Sequence, residues 1–365
     1  MIKSCYIHIP FCESICSYCD FCKIIYKEEV VDRYLNTLEE EVNTIYKGEK
    51  LDTIYIGGGT PSSLNIRQLK RLFKILNKLN KSNNLEYTIE CNFQSVTKEK
   101  LELFKEYGIN RLSLGIESIN KDNLLFLERD LDLGEVESKI SLMRKLGFNN
   151  INLDLMYALK NETITILDKD ISYILSLDVE HISTYSLIIE EHTKLGINKE
   201  QNIKEDIDYK MYNHIVNRLK DNGYNHYEIS NFAKKGYESN HNKTYWLNNE
   251  YYGFGLGAAS YLNNKRINNT KSITKYLNKE YIHEVEELTE EDKIEYEILL
   301  NLRLTSGINL ERFKERYNVE LKDKYNYDTL LKKNMLMLSN NHIYIPEDKL
   351  YVSNEIIVNL LQSKI

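Results

Sequence analysis

Short β-type runs alternating with amphipathic helical runs predict an α/β chain, a partial (β/α)6 TIM-like barrel, over the first half of the sequence. A change to acidic helices followed by a short hairpin predicts a smaller C-terminal α+β domain of winged-helix-like build. Length agrees with both: 365 residues with 42% apolar content can bury one large core and leave about a hundred residues for a second.

Ser4 to Ile9 opens the chain as a strand-like run. Leu35, Leu38, Val42 and Ile45 then recur at helical spacing, Asp52 to Ile56 is short and β-branched, and Leu69, Leu72, Phe73, Leu76 and Leu79 return to the helical period. Further strands are predicted at Tyr87 to Glu90, Arg111 to Leu114, Ile151 to Met156 and His181 to Leu187, with helices at 97–107, 134–146 and 164–177. Such alternation requires a parallel sheet, and six units are too few for a closed barrel of about eight strands. The charged helices near 27–47 and 205–222 read as solvated faces. Beyond about residue 285, helices are predicted at Glu287 to Leu304, Leu310 to Tyr317 and Tyr327 to Leu338. A hairpin is predicted at His342 to Ile345 and Leu350 to Val352, around Pro346-Glu347-Asp348-Lys349. The expected domains are 1–200 for the barrel, 201–284 for its extension and 285–365 for the C-terminal domain.

Directly after the first strand come Cys12, Cys16 and Cys19, three thiols in one tight loop. A [4Fe-4S] cluster normally takes four thiolates, one per iron, so a loop supplying three leaves one iron open to a ligand that is not protein. Zinc is the competing reading, but no second Cys pair or spaced His pair follows to close a tetrahedron. With the site complete at three, Cys22 reads as a bystander, and Cys5 and Cys91 as packing residues.

Parallel barrels carry their chemistry at the carboxyl ends of the strands. After the second strand comes Gly57-Gly58-Gly59-Thr60-Pro61, where missing β-carbons let a backbone approach a ligand. Glu90 closes the third strand and Asp154 lies in the fifth, two carboxylates where a barrel interior normally holds apolar side chains. A bound cation or hydroxyl-bearing ligand would satisfy them; a structural pair with Arg111, Arg129 or Arg144 would do so as well.

The C-x-x-x-C-x-x-C spacing after a strand, with Tyr18 before the third cysteine, resembles the radical S-adenosylmethionine (SAM) enzymes. In that family the open iron is chelated by the amino and carboxylate groups of SAM, and an electron from the cluster breaks the sulfonium to give a 5′-deoxyadenosyl radical. The wider run Tyr6 to Cys12 and Cys19-Asp20-Phe21 is similar to the branch holding oxygen-independent coproporphyrinogen III dehydrogenase and the HemW-type haem chaperones. The resemblance implies that Tyr6, Gly58, Gly59, Thr60 and Glu90 hold the cluster-bound SAM. It also implies that Tyr18, Glu117, Arg129, Asp154 and Ile188 match a second SAM site, and that the glycine-spaced run 253–257 brings Ala258 and Ala259 to the adenosyl group. Glu117 stands where the family usually has Gln, Glu90-Cys91-Asn92-Phe93 lacks the usual proline, and Ala158 to Thr163 replaces a Gly-Leu-Pro-Gly-Gln-Thr-like turn.

Further on, His241-Asn242-Lys243-Thr244-Tyr245-Trp246 holds a histidine close to a tyrosine and the chain's sole tryptophan. Imidazole can ligate haem iron and large aromatic faces can cover a porphyrin, whereas a lone histidine more often serves structure. The resemblance implies haem at His241 and Trp246, because the H-N-x-x-Y-W pattern goes with haem in the chaperones.

Three function classes follow: a haem chaperone of HemW type, the dehydrogenase, or a radical SAM enzyme with another substrate. The dehydrogenase carries several dozen residues before its motif and a cysteine two places after the third ligand; this sequence begins almost at the motif and has Asp20-Phe21 there. The chaperone is therefore the expectation, with the SAM apparatus intact and enzymatic turnover open. Its implied partners are haem-accepting proteins, membrane respiratory cytochromes among them, and a flavodoxin or ferredoxin-type electron donor. A formal charge of -7 with scattered lysines argues against nucleic acid. No apolar stretch reaches the roughly 20 residues of a membrane span, and no signal peptide precedes the first strand. A cytoplasmic location, where thiols serve metals rather than disulfides, is expected.

Overall fold

The computed structural model describes all residues from Met1 to Ile365. Six strands, β1 (Ser4–Ile9), β2 (Leu51–Gly58), β3 (Lys81–Cys91), β4 (Arg111–Glu117), β5 (Ile151–Tyr157) and β6 (His181–Ser186), lie side by side in chain order. Every neighbouring pair is parallel. The strand Tyr252–Phe254 adds to the outer edge of β1, also parallel. The helices between the strands are α1 (Glu28–Ile45), α2 (Ile66–Leu76), α3 (Lys98–Glu106), α4 (Leu133–Lys145) and α5 (Ile164–Ser176). A further short helix, Lys121–Leu127, precedes α4 in the same crossover. This is the α/β partial barrel expected from the alternation, six parallel strands with helical crossovers.

The helices start where the sequence supplies an oxygen. Asn65, Thr97, Asp132 and Thr163 each accept a backbone N–H from the first turn, which satisfies donors that have no partner inside the helix. Helix α1 is charged but not solvated all round, because Tyr34, Leu35, Leu38 and Val42 are buried on one face together with Glu41.

By internal packing the chain gathers into two units, Met1–Met211 with Glu250–Glu286, and Tyr212–Asn249 with Glu287–Ile365. The segment expected as a barrel extension, 201–284, is thus shared between them. In the second unit, helices Glu290–Asn301, Leu310–Tyr317 and Ser353–Leu361 surround a core of Ile298, Leu302, Phe313, Ile343, Ile357 and Leu360. A small antiparallel sheet completes it, with His342–Tyr344 between Ile308–Asn309 and Met337–Ser339. This is the smaller winged-helix-like α+β domain.

Two local expectations fail here. The hairpin strands are Met337–Ser339 and His342–Tyr344, joined through Asn340 and Asn341 at φ 49° and 62°. Asparagine tolerates that left-handed conformation, which a tight hairpin turn demands. Pro346 instead precedes a 3₁₀ helix, Glu347–Val352. The helix expected at Tyr327 to Leu338 stops early, covering Asp328–Lys332, and its apolar tail Met337-Leu338 supplies the first hairpin strand.

Candidate functional site

The cysteine loop leaves β1 through a two-residue strand, Phe11–Cys12, paired in parallel with Ile24–Ile25, and neighbouring segments pin the turn between them. Ser17 donates its N–H to the Leu127 carbonyl at 3.3 Å and its hydroxyl to the Phe126 carbonyl at 2.8 Å, and it accepts from the Leu195 N–H at 3.1 Å. Cys12, Cys16 and Cys19 are all free thiols. Burial above all, with the nearby Cys19 and Cys16 adding to it, pushes the Cys12 thiol up to about 11. The three sulfurs therefore lie close enough to act on one another. Three free thiols on one loop suit a cuboidal cluster, which takes one thiolate at each corner iron. Cys22 packs its side chain against Gly257, and burial raises its thiol pKa against the nearby Lys271 and Lys23.

The glycine ridge after β2 makes room beside those thiols. A β-carbon on Gly59 would stand 2.9 Å from Cys12 Sγ and 2.8 Å from the Phe11 carbonyl oxygen. One on Gly58, at φ +119°, would meet the His8 ring at 2.7 Å, and one on Gly57 the Glu90 carboxylate at 2.8 Å. Thr60 reaches Cys12 Sγ with its hydroxyl at 3.8 Å. Glu90 is fixed by two donors, the Tyr55 hydroxyl at 2.8 Å and the Gly58 N–H at 2.9 Å. Burial pushes its carboxyl up to about 7, against those hydrogen bonds, which pull it down. Tyr6 joins the same wall: its hydroxyl bonds His8 Nδ1 at 2.9 Å, while His8 Nε2 bonds the Cys22 carbonyl at 2.8 Å. Burial lowers the His8 pKa to about 4. A neutral imidazole donating from Nε2 and accepting at Nδ1 satisfies both contacts.

The second group of residues assembles around Arg129. Its guanidinium lies 3.7 Å from Cys16 Sγ, 3.0 Å from the Gly115 carbonyl and 3.7 Å from the Glu117 carboxylate. Glu117 stands on a bulge in β4 at φ 65°. It is pushed up to about 7, chiefly by burial, with Arg129 opposing and Asp154 adding. Asp154 is half-buried, desolvation raises its pKa, and it accepts from Asn152 Nδ2 at 2.8 Å. Tyr18 bonds Glu117 and feels the charge of Arg129. Tyr18, Glu117, Arg129 and Asp154 therefore form one polar set, with Glu117 buried and the other three half-buried. Ile188 stands apart, 66% exposed just past β6. Ala259 begins the strand Ala259–Leu262, its carbonyl pressed against Gly253, where a β-carbon would lie 1.8 Å away.

Sequence reasoning missed His8, Tyr55 and Asn92 as parts of the site. Asn92 bridges its halves, donating to Thr60 Oγ1 at 3.5 Å and accepting from Arg129 at 3.5 Å. The alternation in β1 held the signal for His8, which shares a face with Tyr6.

His241 and Trp246 lie on the short helix Asn240–Trp246, capped by Ser239. His241 is 1% exposed and its Nε2 bonds the Tyr245 hydroxyl at 2.8 Å, one turn along. In this conformation that nitrogen is closed to an iron, so the pair does not fit axial haem ligation as it stands. The Trp246 side chain bonds the buried Glu228, and the Arg303 guanidinium lies 5.9 Å from the centre of the indole. Arg312 and Arg316 cap the carbonyls of Leu247 and Asn248 that follow.

Residues 6–174 match the family model of the radical SAM superfamily, and residues 288–348 that of the HemN C-terminal domain. "Heme chaperone HemW" of Bacillus subtilis is 39% identical, over 97% of this chain and 98% of that protein. The protein of the same name from Lactococcus lactis is 36% identical, over 98% and 97%. The solved structure of coproporphyrinogen III oxidase (HemN) from Escherichia coli, a radical SAM enzyme by its description, superposes with a TM-score of 0.86. It covers 98% of this chain and 89% of its own at 20% identity, a likeness of fold. With relatives aligned from end to end above and the cysteine loop set against its glycine ridge, this chain belongs to the HemW family of the radical SAM superfamily.

Proposed function

We propose that this protein is a haem chaperone: it binds haem and passes it to acceptor proteins, with a [4Fe-4S] cluster on Cys12, Cys16 and Cys19 and SAM at the iron left open. The observation that carries the reading is family membership over the whole chain, whose relatives bear the name heme chaperone. Gly58, Gly59, Thr60, Glu90 and Tyr6 would line the cluster-bound SAM. Ala259 would meet its adenosyl group, and Tyr18, Glu117, Arg129, Asp154 and Ile188 would line a second SAM site. Bound there, cluster and SAM supply one-electron reductive chemistry, drawing on a flavodoxin or ferredoxin-type donor. The protein's own part is to desolvate the site and to orient carboxylates by fixed donors, as Tyr55 and Gly58 do for Glu90. His241 would serve as the iron ligand in this reading only with the Tyr245 hydroxyl moved off its Nε2.

A second reading, the dehydrogenase, draws support from the intact SAM-type site and the shared HemN fold. Haem titration of anaerobically reconstituted protein, beside incubation with coproporphyrinogen III, SAM and reductant, separates the two. The chaperone gives a saturable haem absorption band and no protoporphyrinogen IX. Formation of protoporphyrinogen IX would overturn it.

A further inference from the structure

Glu41, on α1, is fully buried. It faces three donors: the Gly255 N–H at 2.9 Å, Asn269 Nδ2 at 2.6 Å and the Tyr276 hydroxyl at 2.6 Å. Asn269 Nδ2 also reaches the Gly255 carbonyl at 2.9 Å, so both backbone groups of this one glycine are tied. Tyr34, two turns before Glu41 on the same face, donates to the His8 carbonyl at 2.6 Å and accepts from the Leu256 N–H at 3.0 Å. It stacks on Tyr276 with ring centres 5.0 Å apart.

Gly255 has φ +105°, and a β-carbon there would lie 2.5 Å from both the His8 carbonyl oxygen and the Tyr34 hydroxyl. Gly257 presses in the same way on the Cys22 side chain, and Gly253 on the Ala259 carbonyl. The segment thus runs through a slot walled by β1, α1 and the end of the cysteine loop.

Packing alone does not call for a carboxylate in that place. Burial pushes the Glu41 carboxyl up to about 7, and an apolar side chain would fill the volume without that desolvation cost. What a carboxylate adds is direction, since its two oxygens accept three hydrogen bonds whose donors fix the course of the chain.

We propose that Glu41 is a positioning residue for the adenosyl side of the SAM site, holding Gly255 against His8 and thereby setting the path of the segment that ends at Ala259. The inference rests on the SAM reading given above. In Glu41→Gln one carboxylate oxygen becomes an NH₂ that must face a donor, either Asn269 or the Gly255 and Tyr276 pair, so the shape stays and the tie is lost.

The test uses the full chain, reconstituted anaerobically at pH 8, as wild type, Glu41→Gln and Tyr276→Phe. Iron content and the EPR spectrum of the reduced cluster without SAM should match wild type in both variants. The SAM concentration giving half of the spectral change should rise about tenfold in Glu41→Gln, the scale of one lost hydrogen bond to a charged group. In Tyr276→Phe it should rise less. Hydrogen exchange of residues 253–257 should speed up in the same order. Wild-type half-saturation in a Glu41→Gln protein with its cluster intact would overturn the inference. If Glu41→Gln fails to fold, wild-type half-saturation in Tyr276→Phe would overturn it. A wild-type spectrum unmoved by SAM would instead sink the SAM reading, and this inference with it.

Discussion

Glu90 shows what burial does to a single carboxyl group. Its carboxyl is pushed up to about 7, so below that pH it is mostly protonated and above it mostly ionised. If SAM requires the carboxylate, affinity should tighten as pH rises through that value. The expected gain between pH 6 and 8 is about tenfold, the ratio of ionised fractions, read from the cluster's EPR response to SAM. Glu90→Gln should weaken binding at pH 8 and make the dependence shallower; an unchanged profile would remove Glu90 from the site. Tyr245 permits a prediction of opposite sign. Its hydroxyl occupies His241 Nε2, so Tyr245→Phe should strengthen haem binding and His241→Ala should shift the haem spectrum. Weaker binding in Tyr245→Phe would mean that the hydroxyl supports the haem site rather than closing it. At this scale the sequence made plain the residues whose chemistry is odd for their place: three close thiols, a glycine run and two carboxylates in strands. It hid Tyr55 and Asn92, ordinary polar residues whose roles come from neighbours tens of positions away.

The elements turn those residues into a site through close approach. Gly58 combines φ +119° with a position where a β-carbon would meet the His8 ring at 2.7 Å. Gly58→Ala must therefore strain the backbone and displace His8, at a cost of about 2 kcal/mol. A lower urea midpoint together with reduced iron content after reconstitution is the expected result; wild-type values in both would mean that the ridge tolerates a side chain. The strands and helices of the barrel were legible because each buries a face, which imposes a period of two or of 3.6 on apolar residues. The hairpin near the C-terminus was misread for lack of such a period. Its first strand, Met337–Ser339, is exposed throughout, and its turn is made by Asn340 and Asn341 rather than by the nearby proline. The bulge that aims Glu117 into the interior was equally hidden, since an extra residue in a strand leaves no mark on composition.

For the whole molecule, the division between the units cuts across the sequence, with Tyr212–Asn249 packing with Glu287–Ile365. Composition gave no boundary at residues 212 or 250, because contacts between distant segments decide which unit a segment joins. No helix is long and apolar enough to cross a membrane. The function proposed for the molecule is a hand-over, and hand-over can be measured without reference to any one residue. Haem-loaded, cluster-reconstituted protein mixed with an apo-cytochrome should lose its own haem absorption band while the acceptor gains the spectrum of the holo-cytochrome, faster than from free haem at equal concentration. Haem that stays on this protein, or reaches the acceptor no faster than free haem does, would contradict the account.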